Sequence, residues 1–116
     1  MLPPFQWRLF RAQLAPVVGA EQAGERPVLV VSHEAINEAL PIVTVLPLTT
    51  SRPGRRIYPT EILLEAGVAG QPHDSIVLAH QIRTISKARL GEPYGLLQDE
   101  TLRGQVRKAM RIHLEL

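Results

Sequence analysis

Short apolar runs separated by turn-forming residues fill most of this chain, and only its end switches to a helical spacing. Residues 5–14 approach strict alternation from Leu9 to Leu14 and predict a first strand. A long loop follows over 15–25, then a buried strand from Val28 to Ser32. His33 to Ala39 reads as a short helical turn, capped by Ser32 and stopped by Pro41. Ile42 to Leu48 is a β-branched strand, and Thr49 to Arg56 is a turn by composition. Ile57 to Leu64 predicts an edge strand, because Pro59 cannot donate to a ladder. A glycine- and proline-bearing loop covers 66–74. Ser75 to Ala79 and Gln81 to Ile85 are both strand-like, either as two strands or as one bent through His80. Ser86 to Leu90 predicts a short helical turn. From Asp99 onward, Leu102, Val106, Ala109 and Met110 recur at three- and four-residue spacing. That predicts a terminal helix with Asp99 as N-cap, basic residues on its other face, and a cost of about 1 kcal/mol at Gly104. The expectation is a mainly β domain with helical additions (α+β), a small barrel carrying a C-terminal helix.

Composition narrows this further. The 116 residues make one domain, 1–116, with a core of Leu, Val and Ile, since aromatics are only 4%. With no cysteine there is neither a disulfide framework nor a thiolate metal site. His33, His73, His80 and His113 lack metal-ligand spacing, so no metal or other cofactor is expected. No apolar run approaches a membrane span, and the start lacks the pattern of a signal peptide, which predicts a cytoplasmic protein. A net charge of +2 permits an acidic partner such as nucleic acid without requiring one.

The densest local chemistry lies in Gly19-Ala20-Glu21-Gln22-Ala23-Gly24-Glu25-Arg26-Pro27, which leads directly into an apolar strand. Pro27 biases Arg26 toward extended geometry. A carboxylate, an amide and a guanidinium thus share one loop, which could grip a phosphodiester; an ordinary surface hairpin explains the same residues equally well.

That loop, extended back to Pro16, resembles the MazF/PemK toxins of bacterial toxin–antitoxin pairs. So do Asn37, the strand ending Pro47-Leu48-Thr49-Thr50-Ser51, and the stretch from Asp74 to Leu90 containing His80-Gln81-Ile82-Arg83. The resemblance covers most of 15–90 in the family's order. It implies an SH3-like barrel of the MazF/PemK/CcdB type that forms a homodimer. It also implies a metal-independent endoribonuclease cutting single-stranded RNA, and a MazE-like antitoxin partner. The opening departs: where the family has Arg-Gly-Asp, this chain has Gln6-Trp7-Arg8, and a later acid is replaced by Gln13.

By this resemblance Arg26 and Thr49 are the catalytic residues. A planar guanidinium suits two phosphoryl oxygens, although an ion pair to Glu21 or Glu25 is its alternative use. The Thr49 hydroxyl can bond a phosphate oxygen or orient a 2′-hydroxyl. Glu21, Gln22, Thr50, Ser51, Arg52, Ser75, Gln81 and Arg83 are the expected RNA-binding residues. Alternation sets Gln81 and Arg83 on one strand face, with an Arg83–Asp74 ion pair as the competing role. Arg52, Arg55 and Arg56 share a loop that could track a single strand, with Tyr58 beside it to stack on a base. Trp7 is expected in packing or a dimer contact. None of the histidines is given a catalytic role, though the loop carrying His73 could reach a cleft. Two other readings stay open: a CcdB-like gyrase poison, and a catalytically impaired antitoxin-binding homologue motivated by Gln6-Trp7-Arg8.

Overall fold

The computed structural model describes residues 4–14, 19 and 24–116. Along the chain run β1 (Arg8–Gln13), β2 (Glu25–Val30), α1 (Glu34–Ala39), β3 (Ile42–Thr50), β4 (Glu61–Leu64), β5 (Ser75–Leu78), β6 (Arg83–Ser86), β7 (Leu90–Leu96) and α2 (Glu100–Leu114). All strand pairs are antiparallel, in the order β4-β5-β3-β2-β1-β7, with β6 also on β3. This is the mainly β fold with a C-terminal helix that the apolar runs predict.

The central strands are apolar on both faces because they feed two cores. Leu9, Leu29, Leu46, Leu48 and Val77 point into one, closed by Val106 and Ala109 of α2. Phe10, Val28, Val30, Val43 and Ile85 point into the other. The strand β3 is long enough to serve two partners: its first half pairs with β6 and its second half with β5. Between these partners the chain makes a 3-10 turn at Ala79–Gln81, so of the two readings the one with two separate strands holds.

One proline splits this sheet. Trp7 N–H donates to the Val30 carbonyl at 2.8 Å, and Val31 N–H donates to the Thr44 carbonyl at 3.0 Å. Even-numbered residues of β2 therefore face β1, and odd-numbered ones face β3. After Val31 and Leu29, the next donor toward β3 falls to Pro27, which has no N–H. The β2–β3 register runs only from Val30↔Val45 to Val28↔Pro47. Beyond that point β2 continues against β1 as far as Glu25, and β3 continues against β5 as far as Thr50. The two strands part as a fork.

Several boundaries differ from expectation. The cap of α1 is His33, whose ring nitrogen accepts from Ala35 N–H at 3.1 Å. Ser32, the expected cap, instead clasps α1 to β3: its hydroxyl bonds the Asn37 side chain and accepts from Thr44 N–H at 2.9 Å. Glu34 accepts from the amides of Phe5 and Gln6 and from Asn37, fixing the start of the chain to this helix. Burial would raise the Glu34 pKa, but those bonds outweigh it and hold the carboxyl below its ordinary value. The edge strand expected over 57–64 begins only at Glu61. The strand β7 had no counterpart in the pattern, since Gly91, Pro93 and Gly95 obscure it; it pairs with β1 through two register shifts. It meets the loop before β5, where Gly95 N–H donates to the Ala69 carbonyl at 2.7 Å. A Cβ on Gly70, whose φ is +82°, would lie 2.6 Å from Gly95 N, so backbone meets backbone there.

Part of the basic loop after β3 is committed to the fold rather than left to a ligand. Arg55 makes a bidentate pair with Glu61, at 3.0 and 2.9 Å, and Tyr58 N–H adds a third bond at 3.0 Å. The guanidinium carbons of Arg55 and Arg56 lie 5.9 and 5.1 Å from the centre of the Tyr58 ring. Arg52 stays exposed.

Trp7 has φ +67°, a left-handed conformation that favours glycine. Its backbone still bonds on both sides, to Val30 and to Leu97 N–H at 2.7 Å. The indole is only 6% exposed and packs in the core that α2 closes. Arg103 and Arg107 of α2 cover its ring at 5.3 and 5.0 Å. Asp99 caps that helix by accepting from Leu102 N–H at 3.0 Å.

Three stability measurements follow from these contacts. Trp7→Gly relieves about 1–2 kcal/mol of left-handed strain but removes an indole whose burial is worth about 3–5 kcal/mol. Urea unfolding should therefore show a net loss of about 1–4 kcal/mol, and an unchanged midpoint would mean that the indole does not seat α2. Gly104 is exposed, with nothing within 4 Å of an added Cβ. Gly104→Ala should raise stability by about 1 kcal/mol, read as a higher Tm. The bonds from Arg55 hold the Glu61 carboxyl below its ordinary value of 4.5, with the Tyr58 amide reinforcing them against burial. A depressed folded-state pKa gives stability that is present above that value and is lost as pH falls below it. Glu61→Gln should be less stable than wild type at pH 7 and should lose less on acidification; parallel acid limbs would contradict this role for the pair.

Candidate functional site

The fork places the two residues assigned to catalysis. The β2–β3 register, carried two residues past Val28↔Pro47, sets Arg26 opposite Thr49. Both share the face of Val28 and Pro47. The strands have separated by then, so Arg26 pairs across β1 with Ala12, and Thr49 pairs across β5 with Ile76. Both residues are half-buried. Arg26 thus lies on one arm of the fork and Thr49 on the other. Glu21 and Gln22 lie outside the described residues.

Arg83 falls on the same face, opposite Val45 in the register of β6. Its guanidinium donates to the Leu14 carbonyl at 3.4 Å, beside the end of β1. The Arg83–Asp74 pair offered as its competing role is absent: Asp74 accepts from Ala66 N–H at 2.8 Å instead. Arg89, which the motifs did not single out, reaches the Gln13 carbonyl at 3.4 Å. Gln81 is half-buried in the 3-10 turn, so it does not share a strand with Arg83 as alternation implied. His80, beside it, bonds the Thr60 hydroxyl through Nδ1 at 3.1 Å.

The neighbours of the pair project to the other face. Thr50 sits opposite Ser75, and Ser51 N–H extends that ladder to the Asp74 carbonyl at 2.8 Å. Ser75 is buried, and its hydroxyl donates to the His73 carbonyl at 2.8 Å. Together with Pro27, Thr50 and Ser75 line a cleft of about 230 Å³ at the mouth of the fork. Its further walls are Arg11, Glu25, His73 and Tyr94. Arg11 Nε lies 3.5 Å from the Glu25 carboxylate. A side-chain hydrogen bond with Tyr94, and then that carboxylate, raise the Arg11 pKa above its ordinary value. His73, whose loop was expected to be able to reach a cleft, does reach one. Tyr94 and Arg11 carried no signal in the motifs: Arg11 meets the cleft through its place opposite Pro27 in the β1–β2 ladder, and Tyr94 through the irregular pairing of β7 with β1. Among the described residues, no three His, Asp or Glu side chains are grouped to hold a metal ion.

The chain and its fold are similar to those of known proteins. A family model of the PemK-like, MazF-like toxins of type II toxin–antitoxin systems matches residues 6–114. The chain is 38% identical over 108 residues to the endoribonuclease EndoA of Bacillus subtilis (strain 168), covering 93% of this chain and 91% of that protein. The solved MazF structure from Deinococcus radiodurans superposes with a TM-score of 0.79 at 27% identity, covering 97% of each chain. A mycobacterial endoribonuclease in complex with its cognate antitoxin gives 0.78 at 25% identity, covering 98% of this chain and 97% of that one. With nearly its whole length matched, the chain belongs to the PemK-like, MazF-like toxin family of type II toxin–antitoxin systems.

Proposed function

We propose that this toxin is an endoribonuclease that cuts single-stranded RNA in the cytoplasm, with Arg26 and Thr49 performing the chemistry. The observation that carries this reading is the fork: it sets a guanidinium and a hydroxyl on opposite arms, facing one side, in a chain 38% identical to a known endoribonuclease. The nucleophile is the substrate's own 2′-hydroxyl, so the reaction needs no metal-activated water. Its oxygen forms a bond to the adjacent phosphorus as its proton leaves to water or to a carboxylate such as Glu21. The bond from phosphorus to the 5′-oxygen breaks, and that oxygen takes up a proton. The products are a 2′,3′-cyclic phosphate and a 5′-hydroxyl, and DNA is spared because it lacks the nucleophile.

Arg26 stabilises the charge that builds on the phosphoryl oxygens, which suits a guanidinium better than proton donation does. Thr49 orients the 2′-hydroxyl or bonds a phosphoryl oxygen. Gln22, Thr50, Ser51, Arg52, Ser75 and Gln81 contact the RNA, while Arg83 supports the end of β1. A homodimer would extend the groove across two copies. An antitoxin of the MazE kind is the expected inhibitor, in keeping with the MazE–MazF complex known from Deinococcus radiodurans. The altered start does not favour an impaired enzyme, because Trp7 adopts the left-handed backbone that a glycine would.

The test is cleavage of a mixed-sequence RNA, without ribosomes and in the presence of a chelator. Discrete cuts with 5′-hydroxyl ends are expected, and DNA should survive. Arg26→Ala should abolish cutting while retaining the folded far-UV spectrum; full activity would remove Arg26 from the mechanism. Thr49→Ala should slow cutting at least tenfold, or about 1.4 kcal/mol in the barrier.

A further inference from the structure

We propose that the cleft at the mouth of the fork binds one nucleobase of the RNA, on the opposite side of the strands from Arg26 and Thr49. This rests on the ribonuclease reading and extends it to sequence recognition. Position is the first argument. Glu25 and Pro27 flank Arg26 in sequence, and Thr50 follows Thr49, so the cleft is built from the immediate neighbours of the proposed catalytic pair. Successive strand residues point to opposite faces. Where β2 and β3 part, a strand held by its phosphate on one side can turn a base through the gap to the other.

The chemistry of the lining selects a neutral, planar ligand. Among the described residues the cleft holds one guanidinium and one carboxylate, Arg11 and Glu25, and they pair with each other at 3.5 Å. A phosphate therefore meets no surplus guanidinium or ammonium among them. Tyr94, Pro27 and Pro72 supply rigid ring surfaces of the kind that bases stack on. Gln71 forms a fixed floor, since its amide is already spent on Ala69 N–H and on the carbonyls of Leu64 and Glu65. Ser75 donates its proton to His73 O, which leaves only its lone pairs to accept from a base amino group. Among the described residues, the Thr50 hydroxyl and His73 imidazole have no hydrogen-bond partner and can read a base edge. At about 230 Å³ the cleft is smaller than a drug-sized site of roughly 300–1,000 Å³, which suits one base rather than a run of nucleotides.

Two measurements test this. In an RNA pool randomised around a mapped cleavage site, wild type should show a base preference at each recognised position. His73→Ala and Tyr94→Leu should each flatten that preference about fivefold or more at one shared position, leaving the others intact. Unchanged preferences at every position in both variants would overturn the pocket. The second measurement needs no variant. A 2′-O-methyl RNA, which lacks the nucleophile, is labelled with 5-iodouridine at varied positions and irradiated on the wild-type protein. Adducts mapped by mass spectrometry should fall on Tyr94 or His73, and adducts confined to residues outside the cleft would overturn the proposal. Adducts at Tyr94 in a protein that fails to cut RNA would support the pocket and defeat the nuclease reading alone.

Discussion

A missing amide hydrogen, at Pro27, shapes the end of the sheet where the proposed site lies. Strands β2 and β3 are held together until the alternation calls on Pro27 for a donor, and there the ladder stops. Each strand has a second neighbour, β1 for one and β5 for the other, so neither loses its order where they separate. The result is a gap with well-supported edges, which an ordinary sheet would not contain. A net hydrogen bond is worth only about 1 kcal/mol, so omitting one costs little where each strand keeps a second partner.

The two-core construction keeps those edges in place. Val28, Val30, Val43 and Val45 anchor one face of the forked strands, and Leu29, Leu46 and Leu48 anchor the other. Buried on both sides as far as Val28 and Leu48, β2 and β3 are held firmly at the point from which they diverge. Helix α2 closes one of these cores, and Trp7 fastens it by placing an indole beneath two arginines of the helix. The left-handed strain at Trp7 is offset by that burial. A residue that looked like a disturbance at the entrance to the first strand is a fastening between the two ends of the chain.

Much of this was legible along the chain, and the reasons for the gaps are specific. The buried strands, the terminal helix and its Asp99 cap follow from local pattern, because burial period and capping are local properties. Arg26 and Thr49 stood out through the motifs around them, yet their facing positions depend on a register between distant segments. Strand β7 was hidden because Gly91, Pro93 and Gly95 are poor strand formers, and an edge strand with bulges tolerates them. Arg55 resembled a mobile, solvent-facing cation; its pairing with Glu61 depends on the chain turning back within a few residues. Tyr94 and Arg11 carry no motif at all, and only the closure of the barrel sets them beside His73.

That closure has a consequence of its own. Where Gly95 meets Ala69 and Gly70, peptide groups touch directly, and a methyl group on Gly95 would lie 2.9 Å from the Ala69 carbonyl. The spacing across this seam is thus a property of the main chain and not of any side chain. Tyr94 and Gln71 immediately flank the seam, so the gauge of the adjoining hollow stays constant while the groups facing into it are free to vary. Divergence among related toxins can then rewrite the chemistry of that hollow without altering its width.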